Sequence, residues 1–416
     1  MRERDFFKGF ISVDEAVRLI AEQLSSTVVN LDVEKVDILN AVNRVLAEDI
    51  YAANDRPREN ISAVDGYAVR SVDTTGASHY SPVELISRSS SKASGNLGLC
   101  LEPGEAARVR TGAPVPCGAD AVLMDEDVQV DGDRVLAHKV AAPGMNIILK
   151  SEDFKRGDRI AQKGALIGPA LVASIAANGV KYVKVFRKIK VNVLAVGDEL
   201  VEPGDELAEG REYNSSAYII QSALVKDSIF EPMYSGIVAD DVLEIEEALL
   251  KGFSRGADLA ITVGGTGVGE SDVTIKLMEG RGKLVFRGVK MRPGRRTGLS
   301  LLGSRVVLSC SGFPVAAWAG YELLLRPAIS RWLGVRGLER AYIYAVLTRR
   351  VPNVVGYKSI VRATVKDTGG DLYVEPYMLR GSGSLSSLLY SNGYILIPEN
   401  VEGFEKGSKI PVYLYD

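Results

Sequence analysis

Residues Leu259-Ala260-Ile261-Thr262-Val263, then Gly264-Gly265-Thr266-Gly267-Val268-Gly269, then Glu270-Ser271-Asp272 run without a break. Five apolar or β-branched residues in a row read as a strand covered on both faces. The glycines after them permit a sharp turn and let backbone N–H groups approach a ligand. A helix that starts just beyond points its positive end at this loop, so the unit reads as an anion cradle, with phosphate its natural occupant. A tight turn with no ligand has the same local pattern, and this stretch alone does not separate the two.

The flanking sequence repeats the strand–helix alternation. Strands are expected over 189–196, 231–238 and 283–289, and helices over 215–226, 241–253 and 273–278. A short hairpin over 298–309 then precedes a helix over 314–332. Strands alternating with helices imply a parallel sheet wrapped by helices. Nearer the N-terminus, Val13, Ala16, Val17, Ile20 and Leu24 follow a helical period, with Ser12 as N-cap and Glu15 closing a capping box. From 66 to 140 short apolar segments alternate with turns, including a hairpin at Asp131-Gly132-Asp133, which predicts an inserted β domain. The serine-rich run 87–94 is expected to be its flexible loop. Residues 141–187 return to helix and strand, with Gly179 capping a helix over 171–178. Beyond Gly337 the texture is all β again, at 341–348, 358–365, 372–375 and 394–398, as in a small barrel or sandwich. The expected domains are 1–65 together with 141–187, then 66–140, 188–335 and 336–416.

Composition narrows the function. The 416 residues are 46% hydrophobic and 25% charged, enough for more than one core. A net charge of −3 gives no global field for nucleic acid. The two histidines, His79 and His138, have no ligand-like spacing, which argues against a zinc site or a histidine triad. Cys100, Cys117 and Cys310 form no C-x-x-C pattern and read as reduced thiols. The segment Arg2-Glu3-Arg4-Asp5-Phe6-Phe7-Lys8 lacks the apolar stretch of a signal peptide, and the apolar runs at 165–180 and 315–325 are too short or too interrupted to span a bilayer. A cytoplasmic protein without membrane or nucleic-acid partners is expected.

In an open parallel sheet, ligands bind outside the carboxyl ends of the strands. Those ends carry Gly197-Asp198-Glu199, Ala239-Asp240-Asp241, the glycine loop with Asp272, and Lys290-Met291-Arg292-Pro293-Gly294-Arg295-Arg296. Phosphate calls for N–H groups and Lys or Arg. Carboxylates beside phosphate call for a divalent cation between them, which suggests an anhydride or phosphoester site using magnesium. Asp241 and Asp272 also stand where helix N-caps would, and the basic run would serve equally as a solvated turn. Two further segments stand out, Ser62-Ala63-Val64-Asp65-Gly66-Tyr67-Ala68 and Arg110-Thr111-Gly112-Ala113-Pro114-Val115-Pro116; on physical grounds alone both read as structural turns.

These two segments, with Gly197-Asp198-Glu199-Leu200, the glycine loop through Asp272, and Met291-Arg292-Pro293-Gly294, resemble the motifs of the MoeA molybdopterin molybdenumtransferases, the gephyrin E-domain family. They occur in order over nearly the full length. The resemblance implies a multidomain α/β plus β fold: a central parallel α/β sheet domain of the molybdopterin-binding type, an inserted small β domain, an N-terminal helical and extended region, and a C-terminal β-barrel. It implies a reaction in which adenylylated molybdopterin receives molybdate at its dithiolene and releases AMP with Mg2+. It also implies a homodimer, in which the β insertion of one subunit faces the α/β cleft of the other, and a contact with a molybdopterin adenylyltransferase.

Carried over residue by residue, the family's important groups fall on Asp65, Thr111, Asp153, Glu199, Asp240 and Asp272. The binding set comprises Asp198, Ser215, Gly264, Gly265, Thr266, Gly267, Gly269, Glu270, Lys290, Arg292, Pro293, Gly294 and Arg295, with oxyanion contacts at Arg362 and Ser382. The chain departs from the family in three places. Cys310-Ser311-Gly312-Phe313-Pro314-Val315-Ala316 replaces Leu-Pro-Gly-Asn-Pro-Val-Ser; Arg292 and Arg295 stand where lysine is common; and Tyr213-Asn214-Ser215-Ser216 replaces Tyr-Asp-Thr-Asn. Arginine offers a planar fork that lysine lacks, which leaves molybdate or tungstate open as the oxyanion. The competing readings are an adenylyltransferase acting one step earlier and a non-catalytic molybdopterin-binding or scaffold protein.

Overall fold

A computed structural model describes residues 9–27, 31–88, 98–266, 273–377 and 381–415. Contacts divide the chain into two compact units, one of residues 1–48, 163–172 and 182–416, the other of 49–162 and 173–181.

The first unit is built on a six-stranded sheet in the order Phe230–Val238, Ile189–Val196, Leu259–Gly264, Arg305–Cys310, Gly298–Leu302, Lys283–Arg287. The first four strands are parallel and the last two pairings antiparallel. The strand Leu259–Gly264 is buried at every residue, as its unbroken apolar run predicts. The hairpin expected over 298–309 is present, Gly298–Leu302 pairing antiparallel with Arg305–Cys310, and it forms the fifth and fourth strands of this sheet. Arg305–Cys310 is buried from Val306 onward, so it seeks a central position beside Leu259–Gly264.

The helix Val13–Thr27 starts with the Ser12 hydroxyl accepting from the Glu15 N–H at 3.1 Å and buries Val13, Ala16, Ile20 and Leu24. It packs against the helix Arg326–Leu333. The single helix expected over 314–332 runs as Pro314–Gly320, a π-turn at Tyr321–Leu325, and Arg326–Leu333. At its far end Arg326 and the Tyr321 hydroxyl both converge on Asp227, Arg326 Nε lying 2.6 Å from the carboxylate.

Five C-terminal strands close a barrel: Lys358–Thr368, Asp371–Pro376, Tyr342–Leu347, Lys409–Leu414 and Gly393–Ile397, the last pairing back onto the first. The strand Lys409–Leu414 goes unread in the sequence. Pro411 interrupts its apolar alternation, yet Ile410 and Val412 are buried and the run pairs antiparallel with Tyr342–Leu347.

The second unit carries the inserted β domain. Its six strands order as Ala121–Met124, Gly66–Val69, Glu105–Val109, Val83–Arg88, Arg134–Ala137, Val128–Asp131. Gly66 is required by close packing, because a Cβ there would lie 1.9 Å from the Leu123 carbonyl oxygen. Ser87 and Arg88 belong to a strand rather than to the expected serine-rich loop, whose remainder lies outside the described residues.

The thiol expectation also changes. Cys100 and Cys117 form a disulfide, and Cys310 is a free, buried thiol. The Leu101 N–H donates to the Cys117 carbonyl at 2.8 Å and the Cys117 N–H to the Leu99 carbonyl at 3.1 Å, which sets the two Cα atoms 4.4 Å apart. That proximity comes from lateral pairing, which spacing along the chain does not reveal.

Candidate active site

In the first unit the chain leaves Ile189–Val196, enters Phe230–Val238 on one side, then crosses to Leu259–Gly264 on the other. The carboxyl ends of Ile189–Val196 and Leu259–Gly264 therefore flank a topological switch point. Val196 pairs with Gly264 there, and a Cβ on Gly264, whose φ is +102°, would lie 2.1 Å from the Val196 carbonyl oxygen. A Cβ on Gly265 would lie 2.7 Å from Thr274 Oγ1, in the first turn of the helix Val273–Arg281. The glycines thus let strand, loop and helix start share one small volume. Thr262 Oγ1 and Thr274 Oγ1 are buried there with no hydrogen-bond partner among the described residues. Gly267, Gly269, Glu270 and Asp272 lie outside the described residues.

The neighbouring strand ends supply carboxylates. Asp198 Oδ1 accepts from the Asp240 N–H at 3.2 Å, so these two acids sit together and both are exposed. Glu199 lies against Gly197, where a Cβ would come within 2.7 Å of its carboxylate. Asp241 takes a different role: it caps the helix Val242–Ser254, accepting from Leu243 and Glu244 N–H at 2.8 and 3.1 Å. Among the described residues no three His, Cys, Asp or Glu side chains gather around one point. The rings of His79 and His138 do meet, with centroids 5.6 Å apart, in the second unit. Carboxylates at these strand ends offer oxygen donors of the kind a hard ion such as magnesium takes.

The cations line a separate cavity of about 780 Å³. Its walls hold Arg292, Pro293, Gly294, Arg295 and Arg296 from the basic turn, Ser311 and Phe313 from the next loop, and Arg362, Gly381 and Ser382 from the C-terminal region. No carboxylate lines it among the described residues. Arg362 is 7% exposed, and burial pushes its guanidinium below its ordinary pKa. Arg292 lies over the Tyr357 ring, 5.2 Å from its centroid. Lys290 is exposed and stands outside the cavity wall; its carbonyl accepts from the Lys358 N–H at 2.9 Å.

Two contacts join cavity and cradle. Arg296 donates to the Thr266 carbonyl at 3.4 Å, and Gly312 packs so close that its Cβ would lie 3.4 Å from Gly264 Cα. The loop between Ser311 and Phe313 thus touches the cradle through Gly312 and walls the cavity through its neighbours. Ser216 secures that loop, its hydroxyl donating to the Gly312 carbonyl at 2.6 Å. Ser216 and Ser387, whose hydroxyl accepts from Arg362 Nε, are positioning contacts at the cavity that the sequence reading missed. Their signal is tertiary, since each acts on a segment far away in the chain. Ser215, the position named from the resemblance, only begins the helix, accepting from the Ile219 N–H through its carbonyl. Next to it, Asn214 Nδ2 donates to the Tyr234 hydroxyl at 2.7 Å and Oδ1 accepts from the Ala217 N–H at 3.1 Å.

In the second unit the segments around Asp65 and Thr111 come together. Asp65 Oδ1 accepts from the Thr111 N–H at 2.6 Å and from its hydroxyl at 2.9 Å. The Thr111 backbone bond, then the hydroxyl, hold the Asp65 carboxyl below its ordinary range, with Arg108 and Arg110 adding to the effect. Asp153 pairs with Arg56 Nε at 2.9 Å.

Comparison with known proteins places the chain in a family. Residues 11–179 match the MoeA N-terminal region (domains I and II), 192–331 a probable molybdopterin binding domain, and 344–415 the MoeA C-terminal region (domain IV). A protein of Methanocaldococcus jannaschii assigned to molybdopterin biosynthesis is 36% identical over 418 residues, covering 98% of each chain. The molybdopterin molybdenumtransferase of Bacillus subtilis is 33% identical, covering 97% of this chain and 94% of its own. The crystal structure of the molybdopterin biosynthesis MoeA protein from Pyrococcus horikoshii OT3 superposes with a TM-score of 0.83 at 32% identity, covering 98% of this chain and all of that one. The chain belongs to the MoeA family.

Proposed function

We propose that the protein is a molybdopterin molybdenumtransferase of molybdenum cofactor biosynthesis, which inserts molybdate or tungstate into adenylylated molybdopterin and releases AMP. The observation that carries this reading is the buried Arg362 guanidinium on a cavity walled by arginines, with no carboxylate among the described residues that line it, one loop away from a glycine cradle. A tetrahedral oxyanion suits the cavity, and the pyrophosphate of the adenylylated cofactor suits the cradle. Arg292, Arg295, Arg296, Arg362 and Ser382 would bind and orient the oxyanion. Gly264, Gly265 and Thr266 would offer backbone donors to the phosphates. Magnesium, held by Asp240 with Asp272, would offset the charge of the anhydride while it is cleaved.

The same reading gives Asp65, Thr111, Asp153 and Glu199 catalytic roles, Asp65 and Thr111 acting on the partner subunit's cleft in a homodimer. It assigns substrate chemistry to 188–335, oxyanion contacts also to 336–416, and the remaining stretches to the subunit contact. No helix among the described residues is long and apolar enough to cross a membrane. We place the protein in the cytoplasm. There a Cys100–Cys117 disulfide has precedent in the intracellular proteins of hyperthermophiles. An adenylyltransferase reading is disfavoured, because that chemistry needs only the α/β part, whereas the family match runs from 11 to 415.

One assay tests the function. Purified protein is incubated with adenylylated molybdopterin, magnesium and molybdate or tungstate, and AMP is followed. Release that requires the oxyanion is expected. Adenylate formation from ATP would make it an adenylyltransferase, and binding without turnover would make it a carrier.

A further inference from the structure

Phe313 is the one aromatic side chain among the described residues that line the arginine cavity. It is 58% exposed, although a phenyl ring gains by leaving water. Its backbone is fixed on both sides. Phe313 is the N-cap residue of Pro314–Gly320, its carbonyl accepting from the Ala317 N–H at 2.9 Å, and the adjacent Val315 N–H donates to the Ser382 carbonyl at 3.0 Å. Gly383 gives the ring its room: a Cβ at 383 would lie 3.2 Å from Phe313 Cδ1. The ring therefore rests against the loop that carries Ser382 while more than half of the residue stays open.

We propose that Phe313 is a specificity-determining residue whose open ring stacks on the pterin end of the bound cofactor. This rests on the transferase reading. The oxyanion joins the dithiolene, and the dithiolene is fused to the pterin, so a ring beside the oxyanion-binding arginines meets that end. The adenine lies beyond the pyrophosphate, at the other end of the molecule. A rigid planar platform orients a planar heterocycle at little cost in entropy, and arginines around it favour the same electron-rich rings. Asparagine, the residue the family motif leads one to expect here, offers an amide edge in place of a face.

The test compares Phe313→Ala, Phe313→Asn and Phe313→Trp with the wild type, each checked for an unchanged thermal melt. Dissociation constants are measured for adenylylated molybdopterin, by quenching of pterin fluorescence, and for AMP, by calorimetry. The alanine and asparagine variants are expected to weaken the former by about tenfold, with tryptophan staying close to wild type. AMP affinity is expected to be the same in all four. Equal affinity of the alanine variant and wild type for the cofactor would overturn the proposal. So would a parallel loss of AMP affinity, which would put the ring at the adenine end, or a tryptophan variant as weak as alanine, which would make the ring a structural prop. Failure of the wild type to release AMP with oxyanion would count against the transferase reading alone, because the quenching measurement needs no turnover.

Discussion

Arg362 Nε donates to Ser387 Oγ at 3.0 Å, and the Ser387 hydroxyl donates onward to the Ser384 carbonyl at 2.6 Å. Ser387 is fully buried and Arg362 nearly so. A bond at Nε fixes the plane of the guanidinium, so the fork reaches the cavity in one orientation. Arg362→Ala should raise the KM for molybdate by about tenfold or more, the worth of a charge-assisted hydrogen bond. Ser387→Ala should raise it by a smaller factor while retaining the charge, with kcat at saturating oxyanion little changed. The dependence of AMP release on oxyanion concentration measures both. An unaltered KM in Ser387→Ala, in a protein that melts normally, would show that Arg362 keeps its orientation without the serine.

Much of this arrangement could be read in advance, and what escaped shares a cause. Periodicity locates Val13–Thr27 and burial of an unbroken run locates Leu259–Gly264, because both signals are local. Asp65 and Thr111 were named from motif resemblance, and their hydrogen bonds were not visible in either segment alone. Ser216 and Ser387 carry no local mark of function. Pro411 hides Lys409–Leu414, and the place of Arg305–Cys310 beside Leu259–Gly264 cannot be read from the hairpin itself. Cys100 and Cys117 are brought together by an isolated β-bridge. In each case the deciding partner lies far off in sequence.

The Asp65 carboxyl predicts a pH effect with a definite sign. Its pKa is depressed in the folded state, chiefly by the Thr111 N–H. A depressed acid contributes stability that is present above its unfolded value, about 3.9, and is lost as pH falls through the folded value. Melting temperature should therefore decline as pH is lowered from neutral into this range. Asp65→Asn should show a shallower decline, because the amide cannot titrate. Asp55 and Glu105 are depressed too and keep some slope in the variant. Melts at matched ionic strength from pH 7 to the acid limit decide the matter, and superimposable profiles would remove Asp65 from the acid sensitivity.

Gly264 is predicted to tolerate no side chain. Its φ of +102° strains any other residue, and an added Cβ would strike the Val196 carbonyl oxygen. Backbone strain and overpacking together should cost about 3 kcal/mol or more. Gly264→Ala should lower the urea midpoint and weaken AMP binding together, since strand pairing and cradle share this residue. A variant of wild-type stability would mean that the loop relaxes without disturbing Ile189–Val196.

The carboxylates at the strand ends should separate into two effects. Asp240→Ala and Asp272→Ala are expected to reduce AMP release by at least about a hundredfold, as when a group that stabilises developing charge is removed, with the fold intact. Asp198 differs because its carboxylate accepts from the Asp240 N–H at 3.2 Å and so sets where the second acid stands. Asp198→Ala should cost less, about tenfold, and excess magnesium should restore part of the loss by refilling a loosened site. Asp198→Asn keeps an acceptor for the same N–H and should retain more activity than the alanine variant. Magnesium titrations of AMP release across the four variants resolve these cases. Wild-type rates in Asp240→Ala and Asp272→Ala would take both acids out of the mechanism, and a loss in Asp198→Ala that magnesium leaves untouched would give Asp198 a role other than positioning its neighbour.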